Sequence, residues 1–228
     1  MITLGIIGVV AALTIPMLIT NYQKRVVETR LKAIYSTILQ GFRMHQAYSE
    51  ELNFQEDNYG DADGNGYSKK RSRDFSDAYF APVFPGVTSY PDSTNFNIYS
   101  TDGSHRFSYD VTGLYNVYYS LANGTVLGFT RAGNYEGCSF LIIMNPQKSR
   151  LFAGKDVFFM TFTLSEFGDW EYGSAASTHY EQSKHKDYIE YCKATVSYPA
   201  YYTSPFDFCT VLIIKNSFKV PDDYPIRF

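Results

Sequence analysis

No charged side chain occurs between Met1 and Gln23; the first basic residues are Lys24 and Arg25. Cysteine is scarce. The three present, Cys138, Cys192 and Cys209, are too few for a disulfide scaffold and lack the C-x-x-C spacing of a zinc site. No metalloprotease helix motif, nucleophile elbow or glycine-rich phosphate loop occurs, which removes the enzyme classes that such motifs mark. A net charge of -3 also leaves out the basic excess that points to nucleic acid.

What is present is 228 residues, 45% hydrophobic and 19% charged, enough for one domain with an extension. That balance excludes disorder and a polytopic membrane protein for the whole chain. Tyrosines number 21 and phenylalanines 18, a usage that suits sheet-rich heads and contact surfaces. One disulfide and one free thiol is the simplest cysteine arithmetic. Cys192 with Cys209 is the expected pair, contributing roughly 3 kcal/mol in an oxidising compartment, and Cys138 competes for either partner.

Residues 1–23 read as the hydrophobic part of a helix. About twenty such residues, each rising about 1.5 Å, match the hydrocarbon thickness of a bilayer, so a membrane span is expected. A cleaved signal peptide would need a basic stretch ahead and a small-residue cleavage site behind, and neither is visible. Helical periodicity continues instead: Val27, Leu31, Ile34, Ile38 and Phe42 recur three or four apart, with Tyr35 and Leu39 widening the stripe. Segments 1–23 and 24–50 are therefore expected to form one rod of about 75 Å, its amphipathic half lying on a head domain at 51–228. Pro16 removes a backbone donor and predicts a kink or local unwinding over 12–16; the competing reading starts the helix at Pro16. Gly8 and Ala12 show the small-xxx-small spacing that lets helices approach closely.

In the head, 56–73 reads as a polar loop. Strands are expected at 96–100, 106–110, 115–121 and 125–130, with 139–144, 157–163 and 210–215 as the middle of an antiparallel sheet. Residues 175–192 add a helix or an irregular loop. The expected class is α+β: a long N-terminal helix, membrane half plus amphipathic half, packed on an antiparallel β-sheet head.

Site chemistry is sparse. Asp61, Asp63 and Asn65, followed by Gly66, imitate the first half of an EF-hand calcium loop, but Ser72 stands where the closing glutamate belongs. A solvated turn is the plainer reading. Lys69, Lys70, Arg71 and Arg73 could touch phosphates, yet no aromatic platform accompanies them, so a solvated loop is expected. His179 and His185 flank Glu181 ahead of Cys192 and read as surface residues. Asn123-Gly124-Thr125 fits a glycosylation acceptor and a hairpin turn, of which the turn is expected.

The string Ile2-Thr3-Leu4-Gly5-Ile6-Ile7-Gly8-Val9-Val10-Ala11-Ala12-Leu13-Thr14-Ile15-Pro16 resembles the N-terminal segment of type IV pilins and type II secretion pseudopilins. The subgroup concerned ends that segment in Ala-Ala-Leu-Thr-Ile-Pro. Asn21-Tyr22-Gln23-Lys24 and Leu31-Lys32-Ala33-Ile34-Tyr35-Ser36 are similar to the same subgroup, and 209–215 followed by 218–225 resembles its closing strand and tail. Asn145-Pro146 leading to Gly154-Lys155-Asp156-Val157-Phe158 is a weaker match; 50–135 has no counterpart.

The resemblance implies a pilin-like fold and a structural, non-enzymatic subunit of a type IV pilus-like or type II secretion filament. Its assembly helix would comprise Ile2, Leu4, Gly8, Ala12, Pro16 and Ile19, continued by Val27, Leu31, Ile34 and Ile38. It further implies a single-pass protein of a bacterial inner membrane, with its head in the periplasm or on an extracellular filament. Partners would be copies of itself, other pilin-like subunits, a prepilin peptidase and the assembly machinery; no cofactor other than calcium and no nucleic acid are expected. The family's basic leader, cleavage glycine and methylated phenylalanine would precede Met1, so the chain is expected to be a fragment or a mis-started frame. Such a leader would also restore the orientation that Lys24 and Arg25 alone would reverse. The alternative function is a membrane-tethered minor pilin or adhesin that binds a surface or ligand, and a tethered enzyme ranks third.

Overall fold

In the computed structural model, residues 2–48, 73, 77, 81–84, 86–90, 96–107, 117–132, 137–164, 170–172, 185–193 and 205–228 are described. The longest element is α1, Ile2–Tyr48, a helix of 47 residues and about 70 Å. It passes through Pro16 without a break. The unwinding expected over 12–16 does not occur, and the helix does not start at the proline. Pro16 withdraws only the donor that would meet the Ala12 carbonyl, and both residues lie on an exposed turn where that carbonyl is not sealed from water.

The second half of α1 lies on a six-stranded antiparallel sheet. Its strands are β1 (Thr88–Tyr90), β4 (Val117–Ser120), β5 (Val126–Ala132), β6 (Gly137–Ile143), β8 (Val157–Leu164) and β9 (Trp170–Tyr172), hydrogen-bonded in that order. A second sheet places β2 (Ile98–Tyr99) between β3 (Arg106–Phe107), antiparallel to it, and β7 (Leu151–Phe152), parallel to it. β7 belongs to the excursion between β6 and β8, so one connection carries the chain from the large sheet to the small one and back.

Side chains alternate across a strand, which sorts the core into two layers. Phe140, Ile142, Phe158, Met160 and Phe162 join the helices on one face. Leu141, Ile143 and Val157 meet Ile98, Phe107 and Leu151 of the small sheet on the other. With both faces covered, β6 and β8 carry apolar residues almost continuously rather than alternating with polar ones. The polar exception is paired: Ser139 and Thr161 are cross-strand partners whose hydroxyls hydrogen-bond at 3.0 Å.

The helical stripe supplies the other wall. Val27, Leu31, Ile34, Ile38 and Phe42 are between 0% and 5% exposed, and Tyr35 and Leu39 flank them partly buried. Phe162 gathers the aromatics, with ring centroids 5.6 Å from Tyr35, 6.0 Å from Phe42 and 5.8 Å from Phe140. At about 1.5–3 kcal/mol for each large apolar side chain removed from water, the stripe supplies on the order of 10 kcal/mol before chain entropy is subtracted.

Two shorter helices join this layer, α2 (His185–Lys193), overlapping the stretch read as helix or loop, and α3 (Pro205–Lys215). The strand expected at 210–215 is thereby corrected. Those residues close α3, which packs on α2 and β8 with Phe208, Cys209, Val211, Leu212 and Ile213 all buried. Thr210 Oγ1 accepts the Phe159 amide at 3.0 Å. β9 pairs with β8 over Phe162–Leu164, and at Phe159 a helix hydroxyl serves the strand. Cys192 of α2 and Cys209 of α3 are disulfide-bonded, 17 residues apart in sequence.

Beyond α3 the chain turns through Ser217 and Phe218, whose φ angles of 56° and 61° are left-handed. Phe218 N donates to Ile213 O at 2.9 Å and Ser217 N to Ile214 O at 3.0 Å, the capping pattern in which glycine usually holds the first left-handed position. The Phe218 ring then meets Tyr35 of α1 at 5.0 Å.

Gly154, at φ 71°, lies where the turn before β8, the disulfide and the C-terminal segment converge. A Cβ there would stand 2.5 Å from Ile226 Cδ1 and 2.7 Å from Cys209 Sγ. Gly154→Ala is expected to lower stability by about 3 kcal/mol, combining the left-handed penalty with overpacking. Ser217→Gly is expected to raise it by about 1 kcal/mol, because it relieves a left-handed residue with no steric load. Urea unfolding of the two variants beside the parent measures both, and opposite signs are the expected result.

Candidate functional site

From Ala12 to Ile19 every side chain of α1 is exposed, and Thr20 is the first that is half-buried. Leu13 is 73% exposed, Met17 69%, Leu18 71% and Tyr22 68%, with Ile15 and Ile19 at 52% and 50%. At about 100° of rotation per residue these positions form two arcs; Thr14 and Asn21 share one gap between them, and Ala12, Pro16, Thr20 and Gln23 the other. So large an exposed apolar surface on one helix calls for another surface to cover it in water.

The candidate assembly residues thus fall into three sets. Ile2, Leu4 and Gly8 lie in the first turns of α1, where the described side chains have not yet begun. Ala12, Pro16 and Ile19 are exposed on the projecting part. Val27, Leu31, Ile34 and Ile38 are buried against the head. Among the described residues no helix is long and apolar enough to cross a membrane; the first half of the span expected over 1–23 lies ahead of the described side chains. Side chains are described from Ala12 onward, and the eleven residues from there to Tyr22 rise only about 17 Å before Lys24 and Arg25 follow.

The root of the rod is fastened by the C-terminal segment. Thr20 Oγ1 donates to Phe228 O at 3.1 Å. Two turns on, Glu28 accepts from Val220 N at 3.0 Å and from Lys219 Nζ at 2.9 Å. Tyr224 OH donates to Gly154 O at 2.7 Å, and burial pushes its phenol well above the usual range. Its ring stacks on Phe228 at 6.0 Å. Arg30 Nη1 of α1 donates to Met144 O at 3.0 Å. A cleft of about 300 Å³ remains between α1 and the turns on either side of β7; Gln23, Arg30, Lys148, Lys155 and Asp156 are among its lining residues.

Sequence reading missed this cleft and the fastening, since both depend on contacts between residues more than a hundred positions apart. The available signal was the group Gly154-Lys155-Asp156, noted only as a resemblance. The calcium candidates Asp61, Asp63 and Asn65 lie outside the described residues, as do Lys69, Lys70, Arg71, His179 and Glu181. Among the described residues no group of three or more His, Cys, Asp or Glu side chains is placed to hold a metal. Arg73 donates to Ser89 Oγ at 3.0 Å and lies 5.7 Å from the Tyr119 ring. His185 opens α2. Asn123 Oδ1 accepts from Thr125 N within the turn joining β4 and β5.

Across residues 17–228 the chain matches the sequence profile of DUF6613, described as a family of unknown function, and it belongs to that family. No curated protein and no solved structure matches it.

Glu28→Ala removes the acceptor for both Val220 and Lys219. It is expected to lower stability by about 1–3 kcal/mol and to speed amide exchange at Val220, measured by hydrogen–deuterium exchange. Unchanged exchange there would mean that the other contacts of the C-terminal segment hold it without Glu28.

Proposed function

We propose that this protein is a filament subunit of the type IV pilin or pseudopilin kind, whose projecting α1 segment is covered by the same segment of neighbouring copies. The observation that carries the reading is the exposure of Leu13, Met17, Leu18 and Tyr22 on a helix whose continuation buries its apolar stripe against the head. One helix with an uncovered apolar half and a covered apolar half is suited to a rod core surrounded by heads. The resemblance of 2–16 to the pilin segment supports it independently of the packing.

The energetics favour association. Each large apolar side chain withdrawn from water stabilises the packed state by about 1.5–3 kcal/mol, and a subunit in a fibre uses its rod against several neighbours. Contacts related by a rotation and a rise, rather than by a two-fold axis, do not close and so extend without limit. Before assembly, lipid is the cover this reading assigns to the rod, because the uncharged sequence from Ile2 leads into the exposed part of the same helix. A head in the periplasm or on an extracellular fibre is compatible with the Cys192–Cys209 disulfide, since oxidising compartments retain such bonds.

Two forms of the chain test this. Deletion of residues 1–23 is expected to give a water-soluble monomer by light scattering, with the head's melting transition retained. The full chain, once detergent is removed, is expected to form filaments visible by negative-stain electron microscopy. Filaments from the truncated head, or a full chain that stays monomeric in plain buffer, would overturn the reading.

A further inference from the structure

The cleft at the root of the rod has a charge arrangement that assembly through apolar surface does not use. Three cations, Arg30, Lys148 and Lys155, and one carboxylate, Asp156, line it. Asp156 is satisfied from within the protein. Its side chain is 1% exposed, and it accepts from Lys148 Nζ at 2.6 Å, Asn145 Nδ2 at 3.2 Å and Phe152 N at 3.2 Å. Lys148 and Asp156 therefore cancel.

Arg30 and Lys155 are held differently. Arg30 donates to the Met144 carbonyl at 3.0 Å and Lys155 to the Arg227 carbonyl at 2.9 Å, both neutral acceptors. A guanidinium has five N–H donors and an ammonium three, so each uses one and has others left for a ligand. Glu28, the acid nearest along α1, is committed to Lys219 and Val220. Among the described residues no acidic side chain pairs with Arg30 or Lys155, so two positive charges share one concave site, whose other walls include Tyr22, Val26, Val27 and Phe228.

We propose that this cleft binds a phosphate ester, with Arg30 and Lys155 on its oxygens and the Lys148–Asp156 pair as a fixed wall. A phosphate offers up to two charges and several oxygens, matching two cations and the fork of a guanidinium better than a carboxylate does. Free phosphate esters and anionic lipid headgroups share that chemistry. The place of the cleft, where the exposed apolar rod meets the head, favours a headgroup; that preference alone rests on the lipid-covered rod proposed above.

The test uses the full chain in neutral maltoside micelles. In one arm glycerol 1-phosphate is titrated by calorimetry. In the other, phosphatidylglycerol or phosphatidylcholine is added to the micelles and the retained lipid is counted by native mass spectrometry. The expected result is binding of the ester, or retention of phosphatidylglycerol over phosphatidylcholine, weakened at least tenfold by Arg30→Gln and by Lys155→Gln. Lys193→Gln, on α2 outside the cleft, is expected to change neither. Ester binding alone assigns a free ligand, lipid retention alone assigns a headgroup, and either supports the site. No binding in both arms, or binding unchanged in both cleft variants, overturns it. Should a glutamine variant unfold, protection of wild-type Lys155 from acetylation by the ester or the lipid replaces that arm, and absence of protection overturns the proposal. Neither arm reads assembly, so this site and the filament reading fail separately.

Discussion

The burial of one helical stripe on one sheet face is the constraint from which the rest of this structure follows. Val27, Leu31, Ile34, Ile38 and Phe42 are almost wholly removed from water, and the sheet residues they meet come from the most apolar strands in the chain. Because the stripe starts only at Val27, the preceding turns of the same helix extend past the head. A rigid helix transmits that geometry: once its second half is seated, the direction of its first half is set. Packing energy in the head is thereby converted into a fixed presentation of the apolar rod.

A second device holds the seating in place. The disulfide joins α2 to α3, Gly154 lets the turn before β8 approach that bond, and Tyr224 donates to the Gly154 carbonyl. The same C-terminal segment reaches α1 at Glu28 and Thr20. These contacts stand at the boundary between the buried and exposed halves of α1, where a lever arm exerts its largest torque. They also form part of the wall of the cationic cleft, since Phe228 and Lys155 line it.

Local pattern was legible in the sequence and long-range pattern was not. The α1 stripe could be read because a helix writes its buried face at three- and four-residue spacing, and β6 and β8 because a strand covered on both faces reads as an unbroken apolar run. The same rule misread 210–215. Thr210, Val211, Ile213 and Ile214 are β-branched residues or flank one, as in a strand, but α3 is enclosed on so many sides that its helical period is erased. Tertiary burial overrode local propensity there. The short β2 and β7 owe their pairing to the excursion between β6 and β8 rather than to any run of their own, so β2 was expected too long and β7 was missed. Of the candidate site, the apolar residues were visible as composition. The fastening by Glu28 and Thr20 was not, because a single acid or threonine has no signature until its distant partner is known.

The most direct test concerns what covers Leu18. A photoreactive benzoylphenylalanine in place of Leu18, activated in the assembled protein, would report the nearest surface covalently. A product of twice the chain mass, with the cross-link mapped to α1 of a second copy, is the expected outcome. Cross-links confined to the head of the same chain would contradict a rod left free for its neighbours.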